Sequence, residues 1–360
     1  MTLAANAETT HTDVMKTRAY GTDAADHPLA PMSIERRDVG PLDVAIDITH
    51  AGICHSDIHQ VRGDWGNSKY PMVPGHEIVG RVASVGAKVT KVKVGDRVGV
   101  GCMVDSCRTC NPCSGGHEQF CTVGTAWTYN ATEMDRKTRT QGGYSTHVVV
   151  TEHFVLRVPE SLDPAGAAPL LCAGITMYSP LRQWNCKPGD RVAVAGLGGL
   201  GHMAVKLAAA MGAEVTMLST SRAKEADAAR LGAKGFALST DAAAMKALAG
   251  SFDLVLDTIS AQHDYDTYLS LLRPFGAMAV VGIPSKPATV AAFSLIGGNR
   301  RLAGSSIGGI AETQEMLDFC AKHGVVSDVE IIAAAQVNEA YERVLKGDVR
   351  YRFVIDATTF

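Results

Sequence analysis

Arg191-Val-Ala-Val-Ala-Gly-Leu-Gly-Gly-Leu-Gly201 is the stretch that decides the fold. Its apolar residues 192–195 read as a short buried strand, and residues 201–211 read as a helix. Between them Gly196-Leu197-Gly198-Gly199-Leu200-Gly201 matches G-x-G-x-x-G, a pattern with meaning only between a strand and a helix. There the glycines allow a tight turn and a close backbone approach, and the helix start offers N–H groups to a pyrophosphate. The plainer alternative is a turn that only packs helix on sheet.

Downstream the alternation continues. Residues 214–218 form a strand, and residues 222–231 a helix ended by Gly232. Further strands are expected at 236–238, 254–256 and 278–281. Strand and helix in turn imply a doubly wound parallel sheet of Rossmann type, with helices on both faces. Upstream the texture is different. Residues 42–48 alternate with period two, and 78–85 and 97–100 look like further strands among glycine-rich turns. Near Ala165 an apolar, helix-like stretch begins and runs towards Pro180. Residues 351–355 are strand-like again, so the C-terminus is expected to complete the first domain. The division expected is a mostly-β domain over 1–168, a dinucleotide-binding domain over 169–310, and a return to the first domain over 311–360. The fold class is α/β.

With 360 residues, two domains are the natural expectation. A net charge of −3 gives no electrostatic footprint for nucleic acid or an anionic membrane. No apolar run approaches the ~20 residues of a spanning helix. Residues 1–12 are polar and alanine-rich without a signal pattern, and are expected to be a frayed extension. Nine cysteines, an odd number, fit reduced thiolates in the cytoplasm better than disulfides.

Four of those cysteines, Cys107, Cys110, Cys113 and Cys121, have the spacing that closes a tetrahedron around one zinc ion. No position stays open there, so this zinc, in a lobe spanning 102–121, is structural; an iron–sulfur cluster is the competing use. A looser set, Cys54, His76 and Cys172, offers two thiolates and an imidazole and leaves a fourth position open. Glu77 is either a temporary fourth ligand or a carboxylate beside the metal. Asp57 either accepts from a ligand imidazole or caps a helix. Cys102, Cys186 and Cys320 remain as packing residues. Ser56 and His59 lie two and five residues from Cys54 and could relay a proton, while His55 could approach the pyrophosphate.

The choice of dinucleotide turns on the end of the second strand, where an acidic residue would grip a ribose 2′-hydroxyl. Here stand Ser219, Thr220, Ser221 and Arg222, with Lys224 behind. Hydroxyls and two cations suit a 2′-phosphate and favour NADP(H). Alternatively Ser221 caps the next helix and the cations are solvated.

Taken together, Gly52-Ile-Cys54-His55-Ser56-Asp57-Ile-His59-Gln60, Pro74-Gly75-His76-Glu77, the four-cysteine lobe, residues 169–176, the glycine-rich turn and Tyr351-Arg352-Phe353-Val-Ile-Asp356 resemble the zinc-dependent medium-chain alcohol dehydrogenases. The resemblance is strongest to their cinnamyl-alcohol-dehydrogenase-like group, with its bacterial aldehyde reductases. It implies a GroES-like catalytic domain interrupted by the Rossmann domain, two zinc ions per chain, NADPH and a homodimer. It also implies that Cys54, His76 and Cys172 bind the catalytic zinc, with Glu77 as alternate ligand. Ser56 and His59 match the relay, and Arg352 a pyrophosphate contact. Trp65 and Trp127 fall in segments that line the family's substrate cleft, or else anchor loops. Residues 122–140 depart from the plant members, so an aldehyde reductase for aromatic and medium-chain aldehydes is expected. A polyol dehydrogenase of the same superfamily would carry a carboxylate in place of Cys172. A non-catalytic zinc- and dinucleotide-binding sensor would have lost a ligand or relay residue.

Overall fold

The computed structural model describes residues 15–360, so the N-terminal stretch expected to fray lies outside the described residues. Two sheets organise the chain. The first has six parallel strands in the order Gly235–Leu238, Glu214–Ser219, Arg191–Ala195, Phe252–Asp257, Leu272–Val280, Arg301–Gly304. Val192 to Ala195 are fully buried, which explains their continuous rather than alternating apolar pattern. The strand order reverses between Arg191–Ala195 and Phe252–Asp257, so a crevice opens beyond their C-terminal ends. The glycine-rich turn occupies that crevice. Across from it, the Thr258 hydroxyl donates to the carbonyl of Ala195 at 2.8 Å.

Three expected elements differ in detail. The helix after the turn is Gly199–Ala210, starting two residues early because its first residues are the glycines themselves, which conceal a helix start. The 222–231 segment divides into a 3₁₀ turn, Arg222–Lys224, and an α-helix, Glu225–Leu231. The apolar stretch from Ala165 is not one helix. Pro164–Ala167 passes into a 3₁₀ segment, Ala168–Leu171, and a new helix, Ala173–Gln183, starts after Cys172. Pro169 has no N–H to continue a ladder, and the interruption leaves Cys172 at a helix start.

The second sheet runs Val329–Ala333, Arg352–Asp356, Asp43–Gly52, Ile78–Val85, Arg97–Val100, Leu156–Arg157. Asp43–Gly52 has Ile78–Val85 along one edge, while His147–Thr151 and Arg352–Asp356 share the other. The C-terminal strand therefore pairs directly with the strand that leads into Cys54. Polar contacts fasten this return to the parallel-sheet half. His202 Nε2 meets Ser327 Oγ at 2.9 Å, Lys206 and Arg230 both reach Asp328 at 2.6 Å, and the Tyr351 hydroxyl donates to Asp227 at 2.8 Å. Among the described residues no helix is long and apolar enough to cross a membrane.

Candidate active site and metal centres

Cys54 ends the run of strand Asp43–Gly52 and caps helix His55–Val61, His76 and Glu77 lead into strand Ile78–Val85, and Cys172 heads helix Ala173–Gln183. These separate starts converge. One donor atom from each of Cys54, His76, Glu77 and Cys172 lies within 4.8 Å of the others, and all four residues are buried. Cys54 Sγ and Cys172 Sγ are 4.0 Å apart. Two thiolates on one tetrahedral zinc would sit about 3.8 Å apart, given Zn–S bonds of ~2.3 Å, so the donor set fits that ion. The hydrogen bond from Cys172 holds the Cys54 thiol well below its usual range against the opposing effect of burial, with Arg352 and His76 adding to the pull. A thiolate is the form a metal needs.

Asp57 accepts from the imidazole, as expected, but it is not the cap of a helix beginning after Ser56: the helix is His55–Val61 with Cys54 at its cap, and Asp57 is its third residue, reaching back to that cap. Its carboxylate accepts from the Cys54 N–H at 2.9 Å, which starts the helix, and meets His76 Nδ1 at 3.0 Å. It also accepts from the Gly75 N–H at 3.1 Å and the Tyr144 hydroxyl at 3.3 Å. With Nδ1–H committed to Asp57, His76 keeps Nε2 free for a metal.

Glu77 is paired with Arg352. Burial pushes its carboxyl up to about 7 against the pull of that arginine. Its second oxygen, Oε2, is buried without a hydrogen-bond partner, an acceptor that fits a cation held among these residues. Arg352 faces two ways. A Cβ on Gly199 would lie 3.0 Å from its guanidinium, so it touches the glycine-rich turn as well as Glu77, and its Nε is likewise buried without a partner. A pyrophosphate in the turn fits that orphaned donor. Gly196 turns the chain at φ +93°, and a Cβ on Gly201 would sit 1.8 Å from its carbonyl oxygen, so no larger residue is tolerated there. The Cβ direction of Gly198 meets nothing within 4 Å, leaving room beside the helix start.

At the end of Glu214–Ser219, the buried Ser219 accepts from the Ser221 N–H at 3.2 Å. Ser221 makes no side-chain cap, which removes the capping alternative for it. Lys224 reaches back to the Leu197 carbonyl at 2.8 Å, tying this segment to the glycine-rich turn that includes Leu200. Thr220 and Arg222 are exposed, Arg222 paired with Glu225 at 3.0 Å.

Ser56 is half-buried and His55 exposed on the helix that Cys54 caps. The His59 ring lies 6.1 Å from the His55 ring in a tilted arrangement and meets Asp64 at 2.8 Å, at the protein surface. Trp65 lies 5.6 Å from the His59 ring and is 46% exposed, and Trp127, at the end of strand Ala126–Trp127, is 42% exposed.

The remaining cysteines also converge, with Cys107, Cys110, Cys113 and Cys121 bringing their sulfurs within 4.8 Å of one another. Backbone N–H groups of Cys107 and Cys110 point at the sulfurs of Cys121 and Cys107, each at 3.4 Å, as thiolates around a metal require. Every ligand there is protein.

Cys102 packs against the core, as expected of it, and has a position of its own beside the metal-ligand cluster. Its thiol lies 3.8 Å from the Leu171 carbonyl, beside Cys172. The register could have revealed this. Val100 pairs with Ile78, so the residues after Val100 must lie beside Glu77 and His76. Tyr129, stacked 5.9 Å from the His76 ring, had no comparable signal.

The chain matches the alcohol dehydrogenase GroES-like domain over residues 40–160 and the zinc-binding dehydrogenase family over residues 199–322. It is 59% identical over 342 residues to NADP-dependent alcohol dehydrogenase C 1 of Mycolicibacterium smegmatis, covering 95% of this chain and 98% of that one. To aldehyde reductase YahK of Escherichia coli it is 53% identical, covering 96% and 99%. Among solved structures, a cinnamyl alcohol dehydrogenase from Sorghum bicolor superposes with a TM-score of 0.92 at 49% identity, covering 96% and 98%.

Proposed function

The chain belongs to the zinc-dependent medium-chain alcohol dehydrogenases, and from that premise we propose that it works as a reductase of aromatic and medium-chain aldehydes. It is an NADP(H)-dependent enzyme of alcohol–aldehyde oxidoreduction. The overall change is aldehyde, NADPH and a proton to alcohol and NADP⁺. Reduction is the direction proposed, because cellular NADPH pools favour it.

The observation that carries the reading is the buried meeting of Cys54, His76, Cys172 and Glu77, whose Oε2 has no partner, bridged by Arg352 to the glycine-rich turn. Zinc held by Cys54, His76 and Cys172 supplies a Lewis acid for charge developing on the substrate oxygen, and a second zinc braces the four-cysteine lobe. Around it the chain's own groups have distinct roles. Asp57 keeps the His76 proton on Nδ1 and fixes the ring. Arg352 grips the pyrophosphate and balances Glu77, which serves as alternate ligand. Ser219 to Lys224 receive the 2′-phosphate, while His55 approaches the pyrophosphate. The Ser56 hydroxyl delivers a proton to the product oxygen, and His59, in contact with solvent, restores it. Trp65 and Trp127 form aromatic walls of the cleft and favour ring-bearing substrates.

Two further parts of the reading concern setting. Arg301–Gly304, which among the described residues pairs on one side only, and the exposed Phe293 and Ile296 nearby support a homodimer through this edge. Sedimentation at micromolar concentration tests it, and a monomer would contradict it. The cytoplasm is the proposed compartment, in keeping with nine free cysteines.

Cys54→Ser tests the chemistry. Turnover should vanish, zinc should fall from two to one per chain, and the far-ultraviolet circular dichroism should stay unchanged. Near-normal activity would refute the ligand assignment.

A further inference from the structure

Glu118 is a carboxylate with no part in the chemistry above, yet it is only 3% exposed. It sits in the 3₁₀ turn Glu118–Phe120, inside the four-cysteine lobe between Cys113 and Cys121. Both of its oxygens are engaged outside that lobe. Oε1 meets His153 Nε2 at 2.9 Å, and Oε2 accepts from the backbone N–H of Ile310 at 3.1 Å. Ile310 opens the 14-residue helix Ile310–His323, so the carboxylate also lies at the positive end of a helix. The joint is tight. A Cβ on Gly309 would stand 1.8 Å from the Gly116 carbonyl oxygen and 2.8 Å from Glu118 Oε2.

Just before this joint the backbone is strained. Ile307 has φ +39°, a left-handed conformation that a β-branched side chain keeps only where its surroundings over-determine it. Ile307, Gly308, Ile310 and Thr313 line a narrow apolar cavity together with Cys102 and Leu171. Leu171 directly precedes Cys172. A clamp at Ile310 therefore acts on a cavity that reaches Leu171 and Cys102, the neighbours of the ligand Cys172. A buried carboxylate is costly unless paired, and packing alone would be served by an apolar side chain.

We propose that Glu118 is a positioning residue for substrate: through Ile310 it holds the Ile307–Ile310 segment as a fixed wall of the cleft, so that the four-cysteine lobe sets which aldehydes fit. This rests on the aldehyde-reductase reading. The wall matters most for a substrate large enough to touch it. Loss of the clamp lets Ile307 relax, and an aromatic aldehyde loses its packing surface while a small aldehyde does not.

The test uses the full-length, zinc-loaded enzyme with benzaldehyde and propanal, together with hydrogen exchange at residues 307–313. Glu118→Ala should raise KM for benzaldehyde about tenfold, as expected for one lost charged hydrogen bond. KM for propanal and NADPH should stay within about twofold, with two zinc ions retained and exchange at 307–313 accelerated about tenfold or more. Glu118→Gln keeps an oxygen for the Ile310 N–H and should return to within about threefold of the parent. Gly309→Ala keeps the Glu118 carboxylate in the chain but crowds both Gly116 and Glu118 Oε2 away from the helix start, and should reproduce the benzaldehyde-selective rise. If Glu118→Ala does not fold, the other two variants decide. A uniform rise in every KM with loss of zinc would show a merely structural role and overturn the proposal. So would unchanged benzaldehyde KM and unchanged exchange in Gly309→Ala. An active-site misreading would instead leave the parent inactive on aldehydes while the exchange response still decides the clamp.

Discussion

Replacing Asp57 by asparagine changes one atom and tests the link between the helix cap and the metal centre. Each carboxylate oxygen serves two donors: Oδ2 takes the Cys54 N–H and the Tyr144 hydroxyl, and Oδ1 takes the Gly75 N–H and His76 Nδ1. Asparagine has one accepting oxygen, so its NH₂ must face one of these pairs. The Tyr144 hydroxyl can rotate to accept, whereas the Gly75 N–H and the Nδ1–H of a metal-bound His76 cannot. The amide should therefore turn its NH₂ towards Cys54 and Tyr144. That orphans the Cys54 N–H, at about 1–3 kcal/mol for a buried donor without a partner. His76 keeps a hydrogen bond, but a neutral one of roughly half the strength. Substitution of such a partner lowers metal affinity by about 10–100-fold, and Asp57→Asn should fall towards the lower end, near ~1.4 kcal/mol. A chelator titration resolves the two zinc sites. The weakly held zinc should be lost about tenfold more readily, while the four-cysteine site is unchanged. Added zinc should restore most of the turnover. Zinc retention within twofold of the parent, with unchanged melting temperature, would refute the claim that Asp57 couples cap and metal.

The Arg222→Ala/Lys224→Ala double variant should raise KM for NADPH by about 10–100-fold, the loss of one to two charged hydrogen bonds, and leave KM for NADH nearly unchanged. Parallel kinetics with both cofactors check this, and an equal effect on both would remove the 2′-phosphate assignment. Acid should destabilise the fold through His202, which burial holds at about 3, helped by Arg352 and Lys206, well below its ordinary 6.5. Its folded value is depressed, so the unfolded chain takes up the proton first as pH falls below 6.5. Stability should drop by up to ~1.4 kcal/mol per pH unit between pH 6 and pH 4. Denaturant titrations across that range should show a shallower slope in His202→Asn, and an identical slope would contradict the assignment.

Much of this architecture could be read from pattern alone, for local reasons. Strands at Ile78–Val85 and Arg97–Val100 follow from apolar content bounded by glycine. Convergence of the four-cysteine lobe follows from spacing within 15 residues, a range over which geometry is nearly local. What stayed hidden depends on partners far apart in the chain. Glu77 and Arg352 are separated by 275 positions, and Glu118 and Ile310 by 192, and no local pattern announces either pair. The double engagement of Asp57 was visible only as two alternatives, and its reach back to the Cys54 cap was read as a cap of its own. The break before Cys172 is hidden in a helix-like apolar stretch, because residues 168–171 are buried all round and carry no periodic face that would separate a 3₁₀ turn from an α one.

The most direct measurement is the initial rate on a panel of aromatic and aliphatic aldehydes, with NADPH and NADH compared and chelator-treated enzyme alongside. The account requires fast oxidation of NADPH with aromatic aldehydes, much slower oxidation of NADH, and loss of both on zinc removal with recovery on zinc return. Zinc- and NADPH-loaded protein that turns over no aldehyde, or turnover that survives complete zinc removal, would contradict it.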